Sequence, residues 1–196
     1  MCLIKGENKM DRRTKYTKKI ISDTFLELLK EKDINKITVS ELCQKADINR
    51  ATFYRYYLDV YDLLEKIEQD FILELVNATD SIEIDSVYTF TYVILQVFLH
   101  NKELVKLIFN IKNSITSVES ILQIAYSKCE SRWKKDLKDK ITTDEIEFAC
   151  IFMFNGALGI INYWIKNDFT GDIKEIAKNI ETLGYCGTNK FIYNKK

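Results

Sequence analysis

The stretch Ile37-Thr38-Val39-Ser40-Glu41-Leu42, followed by Asn49-Arg50-Ala51-Thr52-Phe53-Tyr54-Arg55-Tyr56-Tyr57, decides the fold. Its pattern predicts two short helices joined by a tight turn, the second carrying arginines and tyrosines on one side. Thr38 and Glu41 have capping-box spacing, each side chain able to satisfy a backbone amide of the other. Ile37 and Leu42 stand at the flanking staple positions, which set the angle at which the chain enters the helix. Ala46-Asp47-Ile48 breaks the pattern, and aspartate tolerates the left-handed backbone that such a break requires. Asn49 is a good N-cap for a new helix from Arg50. A helix, a turn of three or four residues and a second helix with donors at its start is the geometry that enters a DNA major groove.

Working outward, helical periodicity continues on both sides, and the chain reads as all-α. A first helix is expected from Arg13 to Lys32, with Ile20, Ile21, Phe25, Leu28 and Leu29 on one stripe. Asp59 can cap a fourth helix through Leu63, Leu64, Ile67, Phe71 and Leu75. Further helices are expected over Asp85–Leu99, from Asn101 to Phe109, over 117–138, and from an Asp144 cap to about Lys166. A last one opens at Gly171 or Asp172 and carries Ile173, Ile176, Ile180 and Leu183, with Gly184 as its stop. The absence of proline and the presence of only six glycines in 196 residues suit long helices better than a turn-rich β fold. The expected organisation is a flexible arm over 1–12, a three-helix helix-turn-helix domain over 13–58, a larger helical domain over 59–185 and a tail over 186–196. Met10-Asp11-Arg12-Arg13 opens directly onto the helical pattern, so Met10 is an alternative start to Met1.

Charge is balanced overall, with 29 basic and 29 acidic side chains, but unevenly spread. Residues 1–20 hold seven basic groups (Lys5, Lys9, Arg12, Arg13, Lys15, Lys18, Lys19) against Glu7 and Asp11, a net of +5, so the remainder is net −5. A basic end on a neutral protein suits a polyanion at that end only. The five cysteines (Cys2, Cys43, Cys129, Cys150, Cys186) are widely spaced with no C-x-x-C pair, which argues against a disulfide framework or a zinc site and for reduced thiols in the cytoplasm. Residues 148–165 carry no charge over a length that a membrane span requires. Asn155, Asn162, Gly156 and Gly159 interrupt that run, no basic cluster flanks it, and a helix buried on every side reads the same way; no membrane is expected. One histidine (His100), no Gly-rich phosphate loop and no H-E-x-x-H leave no catalytic or metal residues to nominate, so neither an enzyme nor a cofactor is expected.

The order helix, capping-box helix, Ala-x-Ile-Asn turn, Arg-Ala-Thr-Phe-Tyr-Arg-Tyr-Tyr and capped connecting helix resembles the TetR/AcrR family of bacterial transcriptional regulators. The likeness covers about residues 13–66, and Phe53-Tyr54 and Tyr56-Tyr57 with the Asp59 cap are its distinctive part. It implies a homodimer whose N-terminal domains bind a palindromic operator, a recognition helix from Asn49 to Tyr56, and a C-terminal domain that dimerises and often encloses an effector pocket. By that resemblance Asn49, Arg50, Ala51 and Arg55 approach base edges. Arg13, Lys15, Thr38, Thr52, Tyr54 and Tyr56 hold phosphates, which sets register without reading sequence. Two departures stand out: Asp47 where many relatives have glycine, and Val60 where many place a phosphate-pairing lysine. Phe53 and Tyr57 read as core of the small domain, with Leu42, Cys43 and Ala46.

In the larger domain, Gly156 and Gly159 permit close helix approach, and with Phe152, Ile176 and Ile180 they form the expected dimer interface. Tyr88, Tyr92, Phe98, Phe109, Tyr126, Trp133 and Tyr163 are candidates to line a small-molecule cavity, although aromatics at helical spacing also read as plain core. The expected function is a DNA-binding repressor. The rival reading is a helical adaptor whose basic end binds an acidic partner or a membrane surface.

Overall fold

The computed structural model describes residues 9–80, 82, 87–110, 134 and 142–193. The helices are α1 (Lys9–Glu31), α2 (Val39–Lys45), α3 (Arg50–Tyr54), α4 (Val60–Asp80), α5 (Val87–His100), α6 (Lys102–Asn110), α7 (Thr143–Lys166) and α8 (Ile173–Tyr193), with a 3-10 turn at Ile34–Lys36. No strand occurs among the described residues. The chain forms two compact units, one ending at Gln69 and the other beginning at Asp70.

The first unit is built on α1, α2 and α3 with the start of α4. Ile21, Phe25, Leu28, Ile37, Leu42, Cys43, Phe53, Tyr57 and Leu63 are buried in it. Removing Phe25 or Phe53 from water contributes about 2–3 kcal/mol each, which is how a unit this small keeps three short elements in register. Val60 is also buried, so the first residue of α4 belongs to the core. Asp59 does cap α4, its Oδ1 accepting from the amides of Tyr61 and Asp62 at 2.8 Å each.

In the second unit α8 packs against α5 and α7. Phe71, Leu75, Leu95, Phe98, Val105, Ile161, Trp164, Ala177 and Ile180 form its core.

The structure corrects several expected boundaries. α1 starts four residues before Arg13, at Lys9, because Lys9-Met10-Asp11-Arg12 contains nothing that opposes a helix. The capping box at α2 is one-sided. Thr38 Oγ1 accepts from the Glu41 amide at 3.2 Å, while the Glu41 carboxylate is drawn to the Lys32 ammonium, a stronger charge-assisted partner than a neutral amide. A complete box appears elsewhere: Thr142, not Asp144, caps α7, in reciprocal bonding with Glu145. Asn101 does not cap α6; its amide donates to Glu74 Oε1 and to the Val97 carbonyl, each at 3.0 Å. Gly184 does not stop α8, which continues to Tyr193. A Cβ at Gly184 would stand 3.1 Å from Met153 Cγ, so the glycine there serves helix contact, not termination. The helix expected over 117–138 lies outside the described residues, apart from Lys134.

Candidate nucleic-acid interface

The turn between α2 and α3 is closed by backbone bonds: the Asp47 amide donates to Gln44 O at 3.3 Å and the Ile48 amide to Cys43 O at 3.0 Å. Asp47 takes the left-handed conformation, φ 51°, that the sequence required of it. Asn49 is extended, and its Oδ1 accepts from the Ala51 amide at 2.8 Å. α3 is shorter than the expected recognition segment. Regular helix ends at Tyr54, and Arg55 and Tyr56 continue it only as a turn.

Phe53 and Tyr57, one helical turn apart, are buried, with ring centroids 5.5 Å from each other. That anchors α3 by one face and leaves Asn49, Arg50, Ala51, Tyr54 and Arg55 exposed, with Thr52 and Tyr56 half-buried. The exposed set is chemically mixed. Arg55 makes no ion pair among the described residues, whereas the Arg50 guanidinium is tied to the Ser40 hydroxyl of α2. Asn49 has committed its carbonyl oxygen to the cap, so a two-point amide contact with adenine is closed to it while the cap holds. Thr38 is exposed at the start of α2, and its hydroxyl hydrogen remains available although its oxygen accepts from Glu41. Arg13 and Lys15 are exposed on α1.

Two cations outside the expected set of DNA contacts belong to this region. The Lys18 ammonium sits 5.7 Å above the Tyr56 ring, steadying a side chain expected to meet phosphate. Lys66 binds the carbonyl of Tyr56 at 2.9 Å and Asp62 Oδ2 at 2.8 Å, and lies 5.3 Å from the Tyr57 ring centroid. Asp62 Oδ2 also accepts from the Leu58 amide at 2.8 Å. The end of the α3 segment, the following turn and α4 are thereby tied together by one ammonium–carboxylate pair. The i,i+4 spacing of Asp62 and Lys66 was the available signal; the Tyr56 carbonyl was not foreseeable from pattern.

Charge around the motif is largely settled within it. The Lys32 ammonium holds the Glu41 carboxyl below the usual carboxylate range, and Glu31, with Glu27 beside it, holds the Lys45 ammonium above its usual value. Lys66, then the Leu58 amide, lowers Asp62. Burial pushes the Cys43 thiol up, away from reactive thiolate.

The second-unit candidates are scattered. Phe98 is fully buried and belongs to the core, with Phe109 edge-on to it at 6.1 Å. Tyr88 and Tyr92 stack on each other at 6.0 Å, and Tyr163 is 70% exposed. Tyr126 and Trp133 lie outside the described residues. Among the described members of the set, only Phe109 lines the hollow formed with Lys106, Asn162, Ile165, Lys166 and Asp168, about 470 Å³ in volume. Of the interface candidates, Phe152, Gly156 and Gly159 are exposed, Ile176 is half-buried, and Ile180 is buried in its own subunit's core.

Residues 85–184 match the sequence family described as "Transcriptional regulator C-terminal region", a TetR-type C-terminal domain, over half of the chain. The chain belongs to the TetR family of transcriptional regulators. It is 36% identical over 72 residues (36% of this chain) to the uncharacterized HTH-type transcriptional regulator YxbF of Bacillus subtilis (strain 168). It is 35% identical over 66 residues (34% of this chain) to DhaS of Lactococcus lactis subsp. lactis (strain IL1403), the HTH-type transcriptional activator of the dhaKLM operon. Those aligned stretches span 19% and 35% of the two relatives. In three dimensions the fold is similar to solved TetR-type structures over about nine-tenths of the chain. The dihydroxyacetone kinase operon activator DhaS matches with TM-score 0.61 at 23% identity, covering 90% of this chain and 98% of that one. The SmeT–triclosan complex matches with TM-score 0.59 at 14% identity, covering 88% and 91%. The helix-turn-helix described above is thus a TetR-type head, and the second unit a TetR-type C-terminal domain.

Proposed function

We propose that this TetR-family regulator acts in the cytoplasm as a homodimer that reads a palindromic operator through α3. The observation that carries this reading is the division of the α3 segment. Phe53 and Tyr57 fix it to the core from one side, and Arg50, Ala51, Tyr54 and Arg55 face outward on the other. Arg55 and the Ser40-tethered Arg50 are assigned to guanine edges, Ala51 to close approach, and Asn49 to a single amide contact. Arg13, Lys15, Thr38, Thr52, Tyr54 and Tyr56 are assigned to phosphates.

A dimer accounts for α7. Phe148, Ile151, Phe152 and Tyr163 on that helix are 44–70% exposed, as are Leu183 and Tyr185 on α8. Phe148, Ile151 and Phe152, at i, i+3 and i+4, make an apolar row on one helix of the kind that a partner covers. Covering it with the same face of a second copy produces the two-fold symmetry that a palindrome needs. Repression follows from occupying a promoter, and a small-molecule effector would release DNA by preferring the state with mismatched head spacing. That SmeT forms a complex with triclosan supports an effector site in this fold. Because DhaS is an activator, activation is the second reading.

Footprinting on the DNA upstream of the protein's own gene tests the proposal. Two protected half-sites about 10 base pairs apart, or a multiple, are expected. So is a preference of roughly a thousandfold or more over random duplex. Equal binding to both would instead favour a helical adaptor that uses its basic end for any polyanion. Arg50→Ala should relax base preference, while Tyr54→Phe weakens all duplexes alike.

A further inference from the structure

The hollow between α6 and the C-terminal end of α7 is built differently from a packing defect. Its volume, about 470 Å³, is within the usual span of small-molecule sites. Asn162, Ile165 and Lys166 share one face of α7 at i, i+3 and i+4, and Lys106 and Phe109 share one face of α6 at i and i+3. Asp168 closes the end and is internally compensated: its carboxylate pairs with Lys106 and, at 3.2 Å, with Lys102. Lys102 also donates to the Asp168 carbonyl and lies 5.4 Å from the Phe169 ring. Asp168 and Phe169 are both left-handed, each at φ 59°, a conformation that persists because Phe169 is buried edge-on against Trp164. This end of the hollow is therefore held in place before any ligand arrives.

Against that compensated end, two polar groups are unengaged. The Lys166 ammonium makes no ion pair and the Asn162 carboxamide no hydrogen bond among the described residues. With Lys106 and Lys166 against Asp168, the lining has a net charge of +1. The last carbonyls of α7 do not offset it by facing the hollow unpaired. Tyr163 O accepts from the Asn167 amide and side chain, Trp164 O from the Phe169 amide, and Ile165 O from the Asp168 amide. Phe109 and Ile165 supply apolar wall. A net positive lining disfavours a cation and favours an anion.

We propose that this hollow binds a small organic monocarboxylate, its carboxylate on Lys166 and Asn162 and its apolar body against Phe109 and Ile165. The proposal gives a ligand class to the effector invoked above and rests on that reading for its consequence at DNA, but binding itself is measured without DNA. The full-length protein is titrated with benzoate, with hexanoate, with the neutral analogue benzamide and with inorganic phosphate. Binding is followed through the Asn162 side-chain amide resonances and by calorimetry. Benzoate or hexanoate should saturate and shift Asn162, benzamide should not, and Lys166→Met should weaken the carboxylate about tenfold, with Lys166→Arg largely restoring it. Lys166 is exposed, so these variants should fold. Three results would overturn the proposal: no saturable shift from either carboxylate at millimolar concentration, equal binding of benzamide, or saturation by phosphate alone. Operator binding without ligand is measured in parallel. Its loss alongside intact carboxylate binding refutes the DNA reading and leaves the pocket standing.

Discussion

Replacing Lys66 by methionine isolates the tie between the α3 segment and α4, because the stem is kept and only the ammonium is lost. Three contacts disappear: the bond to the Tyr56 carbonyl, the pair with Asp62, and the approach to the Tyr57 ring. An exposed i,i+4 pair contributes about 0.3–0.5 kcal/mol. A charged donor on a carbonyl that water can otherwise reach adds a fraction of the roughly 1.5–3 kcal/mol of a shielded bond. An exposed cation–π contact adds about 0.5 kcal/mol. The terms share one group and are not additive, so about 1 kcal/mol is expected in total. Amides of residues 50–57 should exchange with solvent roughly fivefold faster, and operator affinity should fall because the reading segment is less fixed. The salt dependence of binding separates this account from its rival. A lysine on a DNA phosphate contributes about 0.9 to the slope of log K against log salt, and its removal lowers the slope by that amount. Lys66→Met should leave the slope unchanged. A slope reduced by about one, with exchange protection intact, would show that Lys66 meets DNA and that the tie is incidental.

Asp47→Gly should stabilise the protein by about 0.5 kcal/mol, since the φ of 51° costs a residue with a Cβ and costs glycine nothing; a urea midpoint that falls would contradict that. At Gly187 a Cβ would meet the Phe152 ring. Gly187→Ala should therefore leave the unfolding free energy within about 1 kcal/mol of wild type, helix propensity offsetting the displaced ring, yet raise the dimer dissociation constant. The partners of Asp62 lower its folded-state pKa, so its stabilisation is complete above the usual carboxylate range and is lost as pH falls through and below it. Denaturant unfolding from neutral into the acid range should show a shallower loss for Asp62→Asn, which starts lower and has no such proton to take up.

The reading head was legible because its determinants are local. The Asn49 cap, the left-handed Asp47, the Asp59 cap and the Phe53–Tyr57 anchor each depend on residues within four positions of one another. Expectations went astray where a distant partner outbid a near one. Glu41 prefers Lys32, nine residues back, to the amide of its own cap, and Gly184 faces Met153 of another helix, so it continues a helix that its type would ordinarily end. Aromatic content is a signal of apolar volume, and this chain spends that volume on core, as Phe98 does. Lys166 and Asn162, by contrast, look like any solvated helix face until α6 is set opposite them.

α7 poses the sharpest choice, since by length and composition it could cross a membrane: its most apolar window has mean hydropathy 1.6 and is 33% buried. Its own chain covers Ile146, Ala149, Cys150, Met153, Ile161, Trp164 and Ile165, and what must be explained is the opposite side, where Phe148, Phe152 and Tyr163 are at least 60% exposed. A lipid surface and a second copy would both cover it, and Phe152→Glu distinguishes them. In a two-fold interface the substitution occurs twice, each time burying a carboxylate where an aromatic ring had been. An anchor residue at the centre of an interface is worth about 2 kcal/mol or more, so the pair raises the dimer dissociation constant by roughly a thousandfold. Sedimentation should show the wild-type chain as a dimer without vesicles and the variant as a folded monomer with unchanged helical circular dichroism. A wild-type chain that sediments as a monomer and floats with vesicles, through a face that the variant abolishes, would assign α7 to lipid and remove the symmetry on which operator reading depends.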